Sequence, residues 1–284
     1  MTVDAHHHVW DLSVRDQDWI TGPALRPLRR DFTMRHLEPE ARAAGVDRTV
    51  VVQTVTVADE TPELLALAAR HDLIAGVVGW TDLTRPDVAD ELARLRELPG
   101  GRFLKGVRHQ VQGEPDPEWL LRPDVLRGLA AVADAGLVHD LVVLPHQLPA
   151  CIRAAAALPG LTFVLDHLGK PPISSGALEP WATHLRELAT LPNTAAKFSG
   201  LVTEADPALW GSRAWPLAPL RPYWETALHA FGPGRLMFGS DWPVCTLAAT
   251  YTQVAHLAEA LAADLDPDDT DRLLGTTAAR VYGL

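Results

Sequence analysis

Eight short apolar runs punctuate this chain, and most of the stretches between them carry helical patterns. The runs are Val3–His8, Thr49–Thr54, Ile74–Trp80, Phe103–Val107, Leu141–Leu144, Thr162–Asp166, Thr194–Phe198 and Leu236–Gly239. They are largely continuous rather than alternating, the pattern of strands buried on both faces of a parallel sheet. Thr61-Pro62 reads as an N-cap and first-turn proline before a helix over Glu63–Arg70. Thr84 and Asp87 open a second helix that runs to Glu97, and Leu126–Ala135 stops at Gly136, a helix C-terminal signal. Further helices are expected over Leu148–Ala157, Trp181–Thr190, Pro222–Ala230 and Ala248–Ala263, then Asp268–Leu274 behind an Asp266-Pro267 cap. Eight such strands with intervening helices predict an α/β chain folded as a (β/α)8 TIM barrel, one domain over residues 1–284.

The first run ends in His6-His7-His8. Side chains two apart on a strand share a face, so His6 and His8 aim two imidazoles at one point while His7 is the spacer. A barrel brings the C-terminal ends of all its strands to one mouth. Those ends carry His6, His8 and Trp10; Gln53; Trp80 and Asp82; Lys105, Arg108 and His109; His146; Asp166, His167 and Lys170; Lys197, Ser199 and Glu204; and Ser240, Asp241 and Trp242. His6, His8, His167 and Asp241 would complete a mononuclear site, because neutral imidazole nitrogen and carboxylate oxygen suit Zn2+ and similar divalent ions. His146 stands as the alternative third imidazole. Three long segments follow strands, Gln110–Pro123, Gly169–Pro180 and Gly200–Pro219, where barrel enzymes keep substrate recognition.

Composition narrows the partners. Lys plus Arg is 25 against 36 Asp plus Glu, a formal charge of −11 with no basic run, which argues against nucleic acid and anionic membranes. There is no apolar stretch of membrane-spanning length and no secretory pattern at the N-terminus. Cys151 and Cys245 read as lone buried thiols, and the expected location is cytoplasmic. The sequence leaves a homo-oligomer open. Neither G-x-S-x-G nor a helix-opening G-x-G-x-x-G is present, against a serine hydrolase and a dinucleotide enzyme.

Asp4-Ala5-His6-His7-His8, Leu165-Asp166-His167-Leu168-Gly169-Lys170-Pro171 and Phe238-Gly239-Ser240-Asp241-Trp242-Pro243 resemble the amidohydrolase superfamily. The runs 106–111 (GVRHQV), 197–204 (KFSGLVTE) and 276–284 (TTAARVYGL) narrow the resemblance to its sugar-lactonase branch, with L-fuconolactone and L-rhamnonolactone hydrolases. The likeness spans essentially the whole chain. It implies His6 and His8 as metal ligands, and Asp241 as both ligand and proton-transfer residue. His167 matches the family's downstream histidine. No strand 4 lysine sits where a bridging ligand would, so one divalent metal is implied. Two roles stay open for the histidine pair, holding a metal or acting directly on the substrate.

The expected chemistry is hydrolysis of a small sugar-acid lactone to the open aldonic acid. Asp241, Arg108 and His109 would be catalytic. Trp10, Trp80, Lys170 and Trp242 would bind substrate, the indoles stacking on the C–H faces of a sugar ring. The alternative is a metal-dependent decarboxylase of an aromatic or dienoic acid on the same scaffold, told apart by CO2 release against acid release.

Overall fold

The computed structural model describes all 284 residues. Eight parallel strands lie side by side in sequence order: β1 Val3–His7, β2 Arg48–Val52, β3 Ile74–Gly79, β4 Leu104–His109, β5 Val138–Leu141, β6 Phe163–Leu165, β7 Thr194–Phe198 and β8 Leu236–Phe238. One principal helix follows each: α1 Met34–Ala43, α2 Glu60–Ala68, α3 Val88–Glu97, α4 Pro123–Asp134, α5 Leu148–Ala157, α6 Trp181–Ala189, α7 Arg221–Phe231 and α8 Tyr251–Ala262. The sheet closes where β1 and β8 leave the barrel. Asp241 N–H donates to His6 O at 2.8 Å, and His8 N–H to Trp242 O at 2.6 Å. The fold is the (β/α)8 barrel expected from the apolar runs.

Several boundaries differ, each for a local reason. The fifth strand lies earlier than the run Leu141–Leu144, because its interior carries Asp140, which reads as a surface residue until its partners are known. Lys197 Nζ lies 2.5 Å from Asp140 Oδ2, and Tyr282 Oη 2.9 Å from each carboxylate oxygen. His139 lies fully buried within the same strand. Helix α2 begins at Glu60, since the Thr61 hydroxyl is spent on β3, accepting from Trp80 N–H at 2.7 Å and donating to Trp80 O. The Asp266 cap forms, accepting from Asp269 N–H at 2.8 Å. The helix behind it passes through a wider turn over Arg272–Thr276 into a last helix, Thr277–Tyr282.

The first strand is irregular in a way that matters. Asp4 pairs with Thr49 and His7 with Val51, so β1 spends three steps where β2 spends two. That is a β-bulge, one extra residue that resets which side faces inward. Below it Val3 and Ala5 pack in the barrel with Val50 and Val52. Above it His6 continues inward, while Asp4 and His7 face the helices; His7 Nε2 lies 3.0 Å from Thr49 Oγ1. The larger core of 69 residues lies chiefly between sheet and helices, and only 11 residues form the apolar barrel interior. The interior apolar cluster is small because its upper half is polar.

Asp4 locks the closure. It is fully buried, and its carboxylate accepts from Ser240 N–H at 2.8 Å, Ser240 O–H at 2.6 Å and Tyr251 O–H at 3.0 Å. Asp4→Ala strands four buried donors, these three and His6 N–H at 3.1 Å, and should lower unfolding free energy by roughly 3 kcal/mol, read from the urea midpoint. A loss under about 1 kcal/mol would show that the β1–β8 seam does not depend on it.

Candidate active site

Each ligand-type side chain is carried by a strand end. His6 follows the bulge, His8 lies just past β1, His167 follows β6 and Asp241 follows β8. Candidate ligand atoms of His6, His167 and Asp241 all lie within 4.8 Å of one another, and all three residues are buried. His8 Nε2 joins them, 3.2 Å from His6 Nε2 and 3.5 Å from Asp241 Oδ1. Asp241 Oδ1 is 3.7 Å from His6 Nε2 and 3.9 Å from His167 Nε2.

The backbone is bent to achieve this. His167, Leu168, Lys170 and Asp241 have φ values of 54°, 51°, 54° and 56°, the left-handed region that side chains with a Cβ avoid. Such strain costs on the order of 1–3 kcal/mol per residue and gathers at functional sites. Two glycines make room. A Cβ on Gly239 would lie 2.8 Å from His6 Cβ, and one on Gly200 2.6 Å from His167 Nδ1.

Protonation suits a cation. His8 Nδ1 lies 2.8 Å from Val52 O, and a carbonyl only accepts, so Nδ1 carries the proton. In neutral His8 the Nε2 lone pair then faces the cluster. His167 Nδ1 is 2.9 Å from Ser199 Oγ. Burial holds the His6 imidazole well below its ordinary range and brings His167 down to about 4, so both are neutral at pH 7. Burial alone would raise the Asp241 carboxyl, but His167, His8 and His6, where they carry a proton, outweigh it and the net shift is downward. Asp241 meets no Lys or Arg within ion-pair distance, only these three imidazoles. A buried carboxylate facing neutral imidazoles has an uncompensated charge, which a divalent metal would balance.

Arg108 crosses the barrel beneath the mouth. Its guanidinium donates to Asp166 Oδ2 at 2.9 Å and to Gln53 O at 2.6 Å and Oε1 at 2.8 Å; Nη1 lies 3.4 Å from His6 Nε2. Above it opens a cavity of about 300 Å3, lined among others by His8, Arg108, His167, Lys170 and Asp241.

The other expected site residues divide. Lys170 lines the cavity, paired with Glu204 at 3.2 Å. His109 points the other way, as strand alternation from Arg108 requires. Its ring stacks on Trp119 with centroids 4.1 Å apart, its Nε2 lies 2.7 Å from Glu114, and its Nδ1 accepts from Trp80 Nε1 at 3.1 Å. Trp80 is thereby placed outside the cavity lining with His109. Trp10 is buried against Phe32 and Trp19, with Nε1 donating to Arg30 O, and Trp242 packs on Phe32; neither lines the cavity. His146 is exposed on a short turn, Pro145–Gln147, away from the cluster. Lys197 lies below the site, fully buried between two carboxylates. The indoles at the cavity are Trp19 and Trp210. Trp210 sits in the long segment Gly200–Pro219. Trp19 sits in the connection from β1 to α1, whose length was the overlooked signal.

A family model of amidohydrolases matches residues 3–284. An L-fucono-1,5-lactonase of Burkholderia multivorans is 41% identical over 293 aligned residues, covering 100% of this chain and 96% of that protein. Another, from Burkholderia ambifaria, is 37% identical, covering 99% of this chain and 94% of that protein. A crystal structure of a zinc-bound amidohydrolase from Burkholderia multivorans superposes with a TM-score of 0.93 at 41% identity, over 100% of this chain and 99% of that one.

The cluster predicts a sharp contrast between neighbouring histidines. His8→Ala or His167→Ala should weaken Zn2+ binding by at least about 100-fold in a chelator competition, more than loss of an outer partner costs. His7→Ala, whose ring turns away, should change it less than about three-fold relative to that outer-partner scale. Equal losses at His7 and His8 would contradict the bulged strand.

Proposed function

The chain belongs to the amidohydrolase family, and from that premise we propose that it hydrolyses a sugar-acid lactone, of the L-fuconolactone or L-rhamnonolactone kind, to the open aldonic acid. The observation that carries this reading is Asp241. Its ionised carboxylate stands among three imidazoles at the foot of the cavity that the Arg108 guanidinium also lines. The full-length likeness to two L-fucono-1,5-lactonases supports the choice of substrate class.

In this reading the lactone ring enters the cavity with its carbonyl towards Arg108. A water beside Asp241 gives its proton to the carboxylate as its oxygen attacks the carbonyl carbon. The Arg108 guanidinium is already fixed by Gln53 and Asp166, so it can stabilise the developing oxyanion without reorganising. The tetrahedral species collapses as the bond from the carbonyl carbon to the ring oxygen breaks. Asp241 returns its proton to that oxygen, and the products are a hydroxyl and a carboxylic acid. A divalent metal, Zn2+ in this reading, would be held by His6, His8, His167 and Asp241 and would supply Lewis-acid polarisation of the carbonyl. Lys170 and its partner Glu204 offer a donor and an acceptor to ring hydroxyls, and Trp19 and Trp210 offer faces for the sugar's C–H groups. Cys151 and Cys245 are buried and unpaired, which supports a cytoplasmic placement, and the lactone substrate class supports a role in carbohydrate metabolism.

The test is a pH-indicator assay on a panel of sugar lactones with wild type and Asp241→Asn. Wild type should release acid from L-fucono-1,5-lactone or a close epimer. The variant should fold normally and lose roughly 10^2–10^4-fold in kcat, the usual worth of a positioned proton-transfer group. Undiminished turnover in the variant, or CO2 release from an aromatic acid in place of lactone hydrolysis, would overturn the reading.

A further inference from the structure

The barrel has a second concavity at its opposite end. It measures about 560 Å3, and none of its lining residues lines the cavity at the mouth. Residues at this end of a (β/α)8 barrel ordinarily serve stability. Here they gather charge of one sign. Arg96 comes from the last turn of α3, Arg102 from the turn Gly101–Phe103, Lys105 from the start of β4 and Arg280 from the last turn of helix Thr277–Tyr282. No Asp or Glu lines the concavity.

This runs against the chain as a whole, which has 36 acidic side chains to 25 basic. Exposed arginines nearby in sequence do find acids: Arg85 meets Asp87 at 2.6 Å, and Arg94 meets Glu91 and Arg122 meets Asp124 at 2.7 Å. The four at the floor meet carbonyls and a ring instead. Arg96 Nη2 donates to Ala135 O at the end of α4, Lys105 Nζ to Gly283 O at 2.7 Å and Arg280 Nη2 to Gly234 O at 2.6 Å. The Arg102 guanidinium lies over the Phe103 ring, 4.5 Å from its centre.

Cations favour helix C-termini, so part of this arrangement is capping. Capping uses one N–H of a side chain and neutralises no charge. A guanidinium has five N–H donors and an ammonium three, so most remain for a ligand. Burial holds the Lys105 ammonium below its ordinary range, and no anion offsets that.

We propose that the barrel floor is a second binding site, for a small molecule that carries a phosphate monoester. Guanidinium forks engage phosphate oxygens two at a time, and the Lys105 ammonium adds a point charge. A dianion supplies the charge that the concavity lacks. Its volume falls in the range of about 300–1,000 Å3 that small-molecule sites occupy, which leaves room for the organic part of an ester. The net charge of −11 around it disfavours a nucleic acid as the source of the phosphate.

The test is calorimetric titration of the full chain at physiological ionic strength, where diffuse attraction is screened beyond about 8 Å. The probes are glycerol 3-phosphate, glucose 6-phosphate and adenosine 5′-monophosphate, with inorganic phosphate, glucose and glucuronate beside them. At least one monoester should bind saturably and more tightly than inorganic phosphate, glucose or glucuronate. Arg102→Ala removes no hydrogen bond within the protein and should weaken that binding about ten-fold or more, the scale of one hydrogen bond to a charged group. Arg280→Ala should do the same. Arg94→Ala, whose guanidinium pairs with Glu91 outside the concavity, should bind as wild type does. The KM for the lactone should not change with the ester present. Binding by none of the three monoesters overturns the site. Glucuronate or inorganic phosphate binding as tightly as the best monoester overturns the ligand class. Undiminished binding in Arg102→Ala and Arg280→Ala, with a competitive rise in KM, places the ester at the mouth and overturns the inference.

Discussion

One extra residue in β1 organises the whole mouth of the barrel. Without the bulge, Ala5 would share its face with His7, and His6 would turn out towards the helices. With it, Ala5 closes the apolar interior and His6 opens the polar one, on consecutive residues. The seam with β8 then follows, because the same segment's backbone receives Asp241 and donates to Trp242. Asp4, turned outward, ties Ser240 and Tyr251 to this seam. The strand that supplies two imidazoles is thus the strand that closes the barrel, and the residue that precedes the second closing bond is Asp241 itself.

A polar interior of this kind survives only if its charges balance. Asp140 and Asp166 face Lys197 and Arg108, two anions against two cations, all buried and within ion-pair distance in the pairs Lys197–Asp140, Lys197–Asp166 and Arg108–Asp166. Burial alone would raise Asp166, but Lys197, His6 and Arg108 together hold it well below the usual carboxylate range. Buried pairs like these contribute less to stability than their Coulomb energy suggests, because each ion gave up its water. What they do here is fix orientation, with Arg108 clamped flat beneath the cavity and His6 held between Asp166 and Lys197. Asp241 is the one carboxylate of the cluster outside this balance.

Much of this was legible before any coordinates. The apolar runs gave the barrel because buried parallel strands have few other ways to read. His6 and His8 were legible as a pair and His7 as their spacer. The bulge was not, since nothing in the letters distinguishes one extra residue from a regular strand. The mouth's polar residues were legible by type, and their direction was not. Arg108 and His109 sit side by side, and only register tells that one meets Gln53 and Asp166 while the other stacks on Trp119. Trp10 and Trp242 sit close to strand ends, yet large rings there also serve to pack Phe32 under the loops. Asp140 was not legible as an interior group because a lone acidic residue beside an apolar run looks like a strand boundary. Its partners come from β7 and from the C-terminal helix, far away in sequence.

The central claim is that the bulged strand, β6 and β8 bring three imidazoles and one carboxylate to a single metal. X-ray absorption at the zinc edge of the Zn2+-loaded protein tests that most directly. The account predicts one zinc whose inner sphere holds nitrogen and oxygen only, with the multiple-scattering signature of three imidazoles. Two imidazoles or fewer, or any sulfur in the sphere, would contradict it.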